Sequence, residues 1–426
     1  EFSLSSVADT SFRWMPGAGD MDFGDDVGAP ISVAGLFASD RNATKLVLHG
    51  AANTAVTADL RFLGDVILQA ADSLFQNQNI SATGGNINVV AGVGSITMGA
   101  LTLATSNGGN IRYAAGSALA IAKLNAGTGN VSLTAAAGSI SDPIGGVNVI
   151  GSELRAVAGG PIGSSLNPLD LNVTRFAGQA ASGAFLSEAD DLIIGSVEVT
   201  TSFLNENLAA SLATDMLLSG LVTTNNGPVV VDLIDGSLTV DQAVEANGAG
   251  NIRLDATAAD RDIFLNQSVT SGVGVISILA DRHITQAAAG DIATTGATID
   301  LLATDGSITM SNGALSASGG GAIRYFAGVD VLLGGINSGT AATSITAVAG
   351  SIADNGDDHT DIAASSVRLV AGIGIGGSAI AAHLDVALST IAASAGAGER
   401  LGGTTLKLHI SPAAGVGGVR DATPHL

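Results

Sequence analysis

The chain has 426 residues, of which 58 are Gly, 8 Pro and none Cys; 46% are hydrophobic yet only 3% aromatic, and the formal charge is −22. That apolar share excludes a disordered chain, which could not bury enough surface to offset its backbone entropy. The lack of Cys excludes disulfides, zinc–thiolate sites and thiol nucleophiles, and an acidic surface without a basic patch excludes nucleic acid and anionic lipid as partners.

The apolar residues are mostly Ala, Val, Ile and Leu, so the expected core is thin and built from small or β-branched side chains. Among the acids, 31 are Asp and 7 are Glu. Asp favours turns, where its short side chain bonds the local backbone, which places much of the charge between strands. No apolar run is long enough to span a membrane, and Glu1-Phe2-Ser3 does not open a signal peptide. The start reads as internal, processed or cut from a longer chain.

The first 60 residues match the repeats below least well. They hold an acidic cluster, Asp20, Asp22, Asp25 and Asp26, whose carboxylates and intervening Gly could supply the oxygen ligands that calcium takes. The spacing is neither that of an EF-hand nor that of a calcium-binding β-roll.

A Gly-Asn-apolar triplet then recurs at Gly85-Asn86-Ile87, Gly109-Asn110-Ile111, Gly129-Asn130-Val131 and Gly250-Asn251-Ile252. A Gly-Ser-apolar triplet alternates with it at Gly94-Ser95-Ile96, Gly138-Ser139-Ile140, Gly236-Ser237-Leu238, Gly306-Ser307-Ile308 and Gly350-Ser351-Ile352. Each opens a short run with apolar residues at every second place, such as Ile87 and Val89 or Ile111 and Tyr113. This is the pattern of strands with one buried face. Turn residues returning at a fixed place in a 20–24-residue cycle predict a coil that stacks on itself, an all-β, right-handed parallel β-helix (β-solenoid). Asn86, Asn110 and Asn130 are then expected one above another, their amides bonding along the stack.

A longer repeat overlies this one. Ile87–Met98 (INVVAGVGSITM) matches Ile299–Met310 (IDLLATDGSITM) at an offset of 212 residues, since 310 − 98 = 212. The same offset carries Arg112-Tyr113 onto Arg324-Tyr325, and Arg155 falls on Arg368 one residue later. The expectation is two tandem solenoid units, 1–213 and 214–426, with about nineteen coils in all. The stretch 186–245 matches poorly and is expected to hold a seam or decorated coils. In the second copy a further acidic cluster, Asp354, Asp357, Asp358 and Asp361, is the other calcium candidate. At the matching place the first copy carries Pro143-Ile144-Gly145-Gly146.

The runs GDVILQAADSLF (64–75), GGNINVVAGVGSITM (84–98) and GNVSLTAAAGSISD (129–142) resemble the repeats of filamentous-haemagglutinin-like exoproteins and related giant bacterial adhesins. The resemblance covers most of 61–160 and 250–376. It implies a right-handed parallel β-helix, export across an outer membrane, and work in adhesion, biofilm cohesion or a surface fibre.

Enzymatic β-helices that cleave polysaccharides gather acids, cations and aromatics in a groove. Here Trp14, Tyr113 and Tyr325 are the only Trp and Tyr, Lys occurs only at 45, 123 and 407, and the six His are scattered without a metal spacing. The duplicated Arg-Tyr pair reads as structural stacking, and Thr does not recur at one coil position as an ice-binding ladder needs. No catalytic residue and no cofactor other than calcium is expected. The expected function is a non-enzymatic stalk, cohesion or attachment segment of a bacterial fibre or adhesin, extracellular or at the cell surface. The alternative is a self-assembling filament subunit, with a polysaccharide-binding or polysaccharide-cleaving β-helix behind both. Expected partners are further copies joined end to end, other fibre subunits, surface glycans or a host or neighbouring cell surface.

Overall fold

The computed structural model describes residues 10–13, 21–25, 31–33, 45–50, 53–56, 59–62, 64–204, 210–356, 359–376, 384–396 and 408–410, the first four of these stretches and the last as backbone. Among them there is no helix. Parallel strands stack as a β-solenoid, with about 14 turns in total.

A coil is one longer strand followed by two short ones. Ile87–Ala91, Ile96–Met98 and Leu103–Thr105 make one coil, and Ile111–Ala115, Leu119–Ala120 and Lys123–Asn125 make the next. Register keeps like over like: Ile87 faces Ile111, Val89 faces Tyr113 and Ala91 faces Ala115. Because side chains alternate across a strand, a fixed register keeps every apolar column inside. Ile87, Val89, Ile96, Ile111, Val131 and Leu133 are all fully buried.

The Gly of the Gly-Asn triplet is required by the stacking itself. A Cβ on Gly109 would lie 2.0 Å from the carbonyl oxygen of Gly85, and one on Gly129 would lie 2.1 Å from that of Gly109. Backbone therefore passes over backbone at this corner, and only Gly leaves the room.

The chain forms two compact units, Glu1–Gly250 and Asn251–Leu426. The sequence midpoint falls instead within the strand Ala210–Ser219, which belongs to an antiparallel hairpin with Ser196–Leu204. In the first unit, this hairpin replaces coil path. The step from Asp191 to the backbone N–H of Ser237, which it caps, spans 46 residues. Thr10–Arg13 and Met21–Asp25 also pair antiparallel. The described residues make about 14 turns, against the nineteen expected over the whole chain.

In the second unit the long strands run in unbroken parallel register from Ile252 through Ile276, Ile299, Ile323 and Thr343 to Val367. Repeat-related residues hold the same place in both units. Met98 and Met310 end the strands Ile96–Met98 and Ile308–Met310, and Tyr113 and Tyr325 are central in Ile111–Ala115 and Ile323–Ala327.

Candidate functional site

Short polar side chains at the coil corners cap the next coil. Asp65 Oδ1 accepts from the Asn86 backbone N–H at 2.8 Å, Asn86 Oδ1 from that of Asn110 at 2.9 Å, and Asn110 Oδ1 from that of Asn130 at 2.8 Å. The Asn stack is therefore real, but its bonds run from side-chain oxygen to backbone N–H and not from amide to amide. Each amide keeps its NH2 for another partner.

The second unit repeats the device at another corner with mixed residues. Asp262 Oδ1 accepts from the His283 N–H, His283 Nδ1 from Ser307, Ser307 Oγ from Asp330 and Asp330 Oδ1 from Ser351, at 2.7–3.2 Å. Any side chain that presents an acceptor at that height serves. This accounts for part of the Asp excess and for His283, which binds backbone here.

The duplicated tyrosines are core residues with a shared polar anchor. Tyr113 Oη donates to Gln76 Oε1 at 2.6 Å, and Gln76 Nε2 donates to the Leu103 carbonyl at 3.4 Å. Tyr325 lies 3.5 Å from Gln286 Oε1, and Gln286 Nε2 donates to the Leu315 carbonyl at 3.2 Å. Here Ser316 Oγ joins in, 2.6 Å from Tyr325 Oη. Burial pushes both phenols above their ordinary value.

Of the second acidic cluster, Asp354 and Asp361 come together at a corner. Their exposures are 7% and 1%. The Asp385 backbone N–H donates to Asp361 Oδ2 at 2.6 Å. Burial, with the nearby Asp354 and Asp385 carboxyls, pushes Asp361 up to about 8. Asp357 and Asp358 lie outside the described residues, as do Asp20 and Asp26, while Asp22 and Asp25 fall on the strand Met21–Asp25. Among the described residues no group of three or more His, Asp or Glu is placed to hold a metal ion.

This corner does have a counterpart in the first unit. Asp142 stands where Asp354 stands, 212 residues earlier, and is also buried. Asn148 takes the place of Asp361: its Oδ1 accepts the Asp170 N–H at 2.9 Å as Asp361 accepts that of Asp385. Asn148 is a neutral amide near the Asp142 carboxyl, its Nδ2 donating to the Ala122 carbonyl at 3.0 Å, whereas Asp361 meets a second carboxyl. The matching position begins one residue before Pro143-Ile144-Gly145-Gly146.

The largest feature outside the coils is the hairpin Ser196–Leu204/Ala210–Ser219. Val197 and Val199 pack with Ala177, and Leu218 closes over them. Asn88 Nδ2 donates to the Ser202 carbonyl at 2.8 Å and Asn110 Nδ2 to the Thr200 carbonyl at 2.9 Å. Asp215 is the ionic anchor. It accepts from Arg112 Nε at 2.9 Å and from Ser132 Oγ at 2.6 Å, while Arg155 Nε donates to the Met216 carbonyl at 2.9 Å. Burial works to raise the Asp215 carboxyl, but these bonds and the charges of Arg112 and Arg155 outweigh it and hold it below its ordinary value. Leu212, Met216 and Leu217 face outward, 71%, 79% and 62% exposed. The poor repeat match over 186–245 located this insertion; its docking on Arg112, Ser132 and Arg155 left no mark in the sequence pattern. Comparison with family models, curated proteins and solved structures gave no match.

Proposed function

We propose that the chain is a non-enzymatic stalk segment of a secreted or cell-surface bacterial fibre, of the filamentous-haemagglutinin-like kind that its repeats resemble. The observation that carries this reading is where the polar side chains point. Asp, Asn, Ser and His at the corners are turned to the backbone N–H of the next coil, so they join coil to coil. A solenoid held this way draws its stability from each neighbouring pair of coils, which suits a spacer whose output is length. The charge of −22 also favours lateral separation of such stalks.

Electron microscopy of the purified chain tests the reading together with turnover assays on a panel of polysaccharides. Isolated thin threads without turnover are expected. Repeating filaments would favour the self-assembling subunit, and turnover lost on replacing one carboxylate would overturn both.

A further inference from the structure

The long strands of the first unit present an outward row, Asn88, Arg112, Ser132 and Arg155, in direct register from coil to coil. The hairpin lies on this row. Arg112 and Ser132 hold Asp215, Arg155 holds the Met216 carbonyl, and Asn88 holds that of Ser202. Covered in this way, Asn88 and Ser132 are fully buried.

The second unit carries the same row at the same place of its own long strands: Asp300, Arg324, Ser344 and Arg368, again in direct register. The first contact is reproduced too. Arg324 Nε donates to Asp300 Oδ1 at 2.6 Å, much as Arg112 reaches Asn88 Oδ1 at 3.3 Å. No described segment covers this second row. The Arg324 and Asp300 side chains are 53% and 33% exposed, against 17% and 14% for Arg112 and Asp215. Arg368 is exposed and has no ion-pair partner among the described residues. Beside the row runs a second outward column, Leu302, Phe326, Thr346 and Val370, each part-exposed. Its counterpart in the first unit is the smaller Val90, Ala114, Thr134 and Val157.

We propose that the Asp300–Arg324–Ser344–Arg368 row and its apolar neighbour column form a docking face for an extended, carboxylate-bearing β segment of another polypeptide. Charge selects this occupant. In the first unit Arg112 and Ser132 bond one carboxylate while Arg155 adds its charge nearby and holds the adjoining carbonyl, and Arg324, Ser344 and Arg368 repeat that set. Asp300 already engages Arg324, so among the described residues Arg368 supplies the uncompensated positive charge. The larger apolar column accepts the outward side chains of a strand laid along it. The inference stands independently of the stalk reading, since a face of this kind could also serve a filament subunit.

The test titrates the full-length chain with a fluorescent synthetic peptide spanning residues 196–219, read by anisotropy at low salt. Saturable one-to-one binding is expected. It should weaken at least about tenfold in an Arg324→Gln/Arg368→Gln chain, and similarly for a peptide with Asp215→Asn, because each change removes charge-assisted hydrogen bonds. Both arginines are exposed, so an unchanged circular-dichroism melt will show that the variant chain is folded. Failure of the wild-type chain to bind at millimolar peptide, or binding that survives the double substitution, overturns the proposal. Arginine-dependent binding of an anionic polysaccharide with the peptide silent also overturns it, by replacing the β segment with a glycan.

Discussion

Asp361 occupies in the second unit the corner that Asn148 occupies in the first, each accepting the backbone N–H of an Asp one coil on. The exchange of amide for carboxyl sets a pH dependence. An unfolded Asp releases its proton at about pH 4, whereas folded Asp361 keeps its own up to about 8. Between these values the folded state holds the extra proton, so its stability is full below pH 4 and declines as the pH rises toward 8. Asp361→Asn restores the arrangement of Asn148 and should flatten that decline. Hydrogen exchange at Ile352–Asp354 and Ser366–Ala371, with chelator present, should match wild type near pH 4. At pH 8 the variant should be the more protected, by on the order of 1–3 kcal/mol. Equal exchange at both pH values would show that the two carboxyls do not share a proton.

Tyr113 and Tyr325 should differ in what their hydroxyls contribute. In Tyr113→Phe the buried Gln76 Oε1 loses its donor, which costs roughly 1–3 kcal/mol. In Tyr325→Phe the Ser316 hydroxyl, 3.4 Å from Gln286 Oε1, can take over. Its cost should be clearly smaller. Replacing both members of the first pair, Gln76→Leu with Tyr113→Phe, should recover part of the loss, since the orphaned Gln76 Oε1 is then gone and only the long 3.4 Å bond to the Leu103 carbonyl is given up. Denaturant melts of the four chains measure the differences; equal costs for the two single Tyr changes would contradict this account.

The sequence carried the coil because a coil is a local rule repeated. Gly109 must be Gly to let one backbone pass over another, and Asn110 must offer an acceptor to the coil above, so both residues recur at a readable spacing. The corner pair was half legible. Asp354 belongs to a visible charge run, while Asp142 is the only acid in its stretch, although the 212-residue offset that aligns Met98 with Met310 also aligns these two. The docked hairpin was not legible. Asp215 lies 103 residues from Arg112, and an ion pair across that distance leaves no period. Poor repeat match marks the insertion, but its destination depends on contacts between residues far apart in the chain.

The hairpin should detach in acid. Asp215 is held below the ordinary carboxylate value, so its contribution is present above about pH 4 and is lost as the pH falls through its depressed value. This is the opposite sense to Asp361. Backbone amides of Ser196–Leu204 and Ala210–Ser219 should lose hydrogen-exchange protection below pH 4 while Ile111–Ala115 keeps its own. Arg112→Ala should do the same at neutral pH, at a cost on the order of 2–4 kcal/mol, because it leaves a mostly buried carboxylate short of its main partner. Unchanged protection of the hairpin in Arg112→Ala would mean that Val197, Val199 and the Asn88 and Asn110 bonds suffice to hold it.

Core and surface should respond very differently to the same kind of change. Ile96, Ile111, Ile308 and Ile323 are at most 1% exposed. Ile96, Ile111 and Ile308 each sit between apolar residues of the coils before and after, as Ile111 does between Ile87 and Val131, and Ile323 sits between Ile299 and the buried Thr343. Changing any one to Asp removes roughly 1.5–3 kcal/mol of apolar burial and adds the larger cost of a buried, unpaired charge. Because a solenoid coil leans only on its neighbours, the damage should spread along the stack from the altered coil and not collapse the whole chain at once. Asp72 and Asp305 are exposed, and changing either to Ala should move stability by no more than about 0.5 kcal/mol. Limited proteolysis locates the effect. New cleavage should appear within a coil or two of each Ile→Asp site and be absent for Asp72→Ala and Asp305→Ala. Cleavage spread evenly over all coils in Ile111→Asp would show that the unit folds as one cooperative body, and the nearest-neighbour picture of its stability would have to be abandoned.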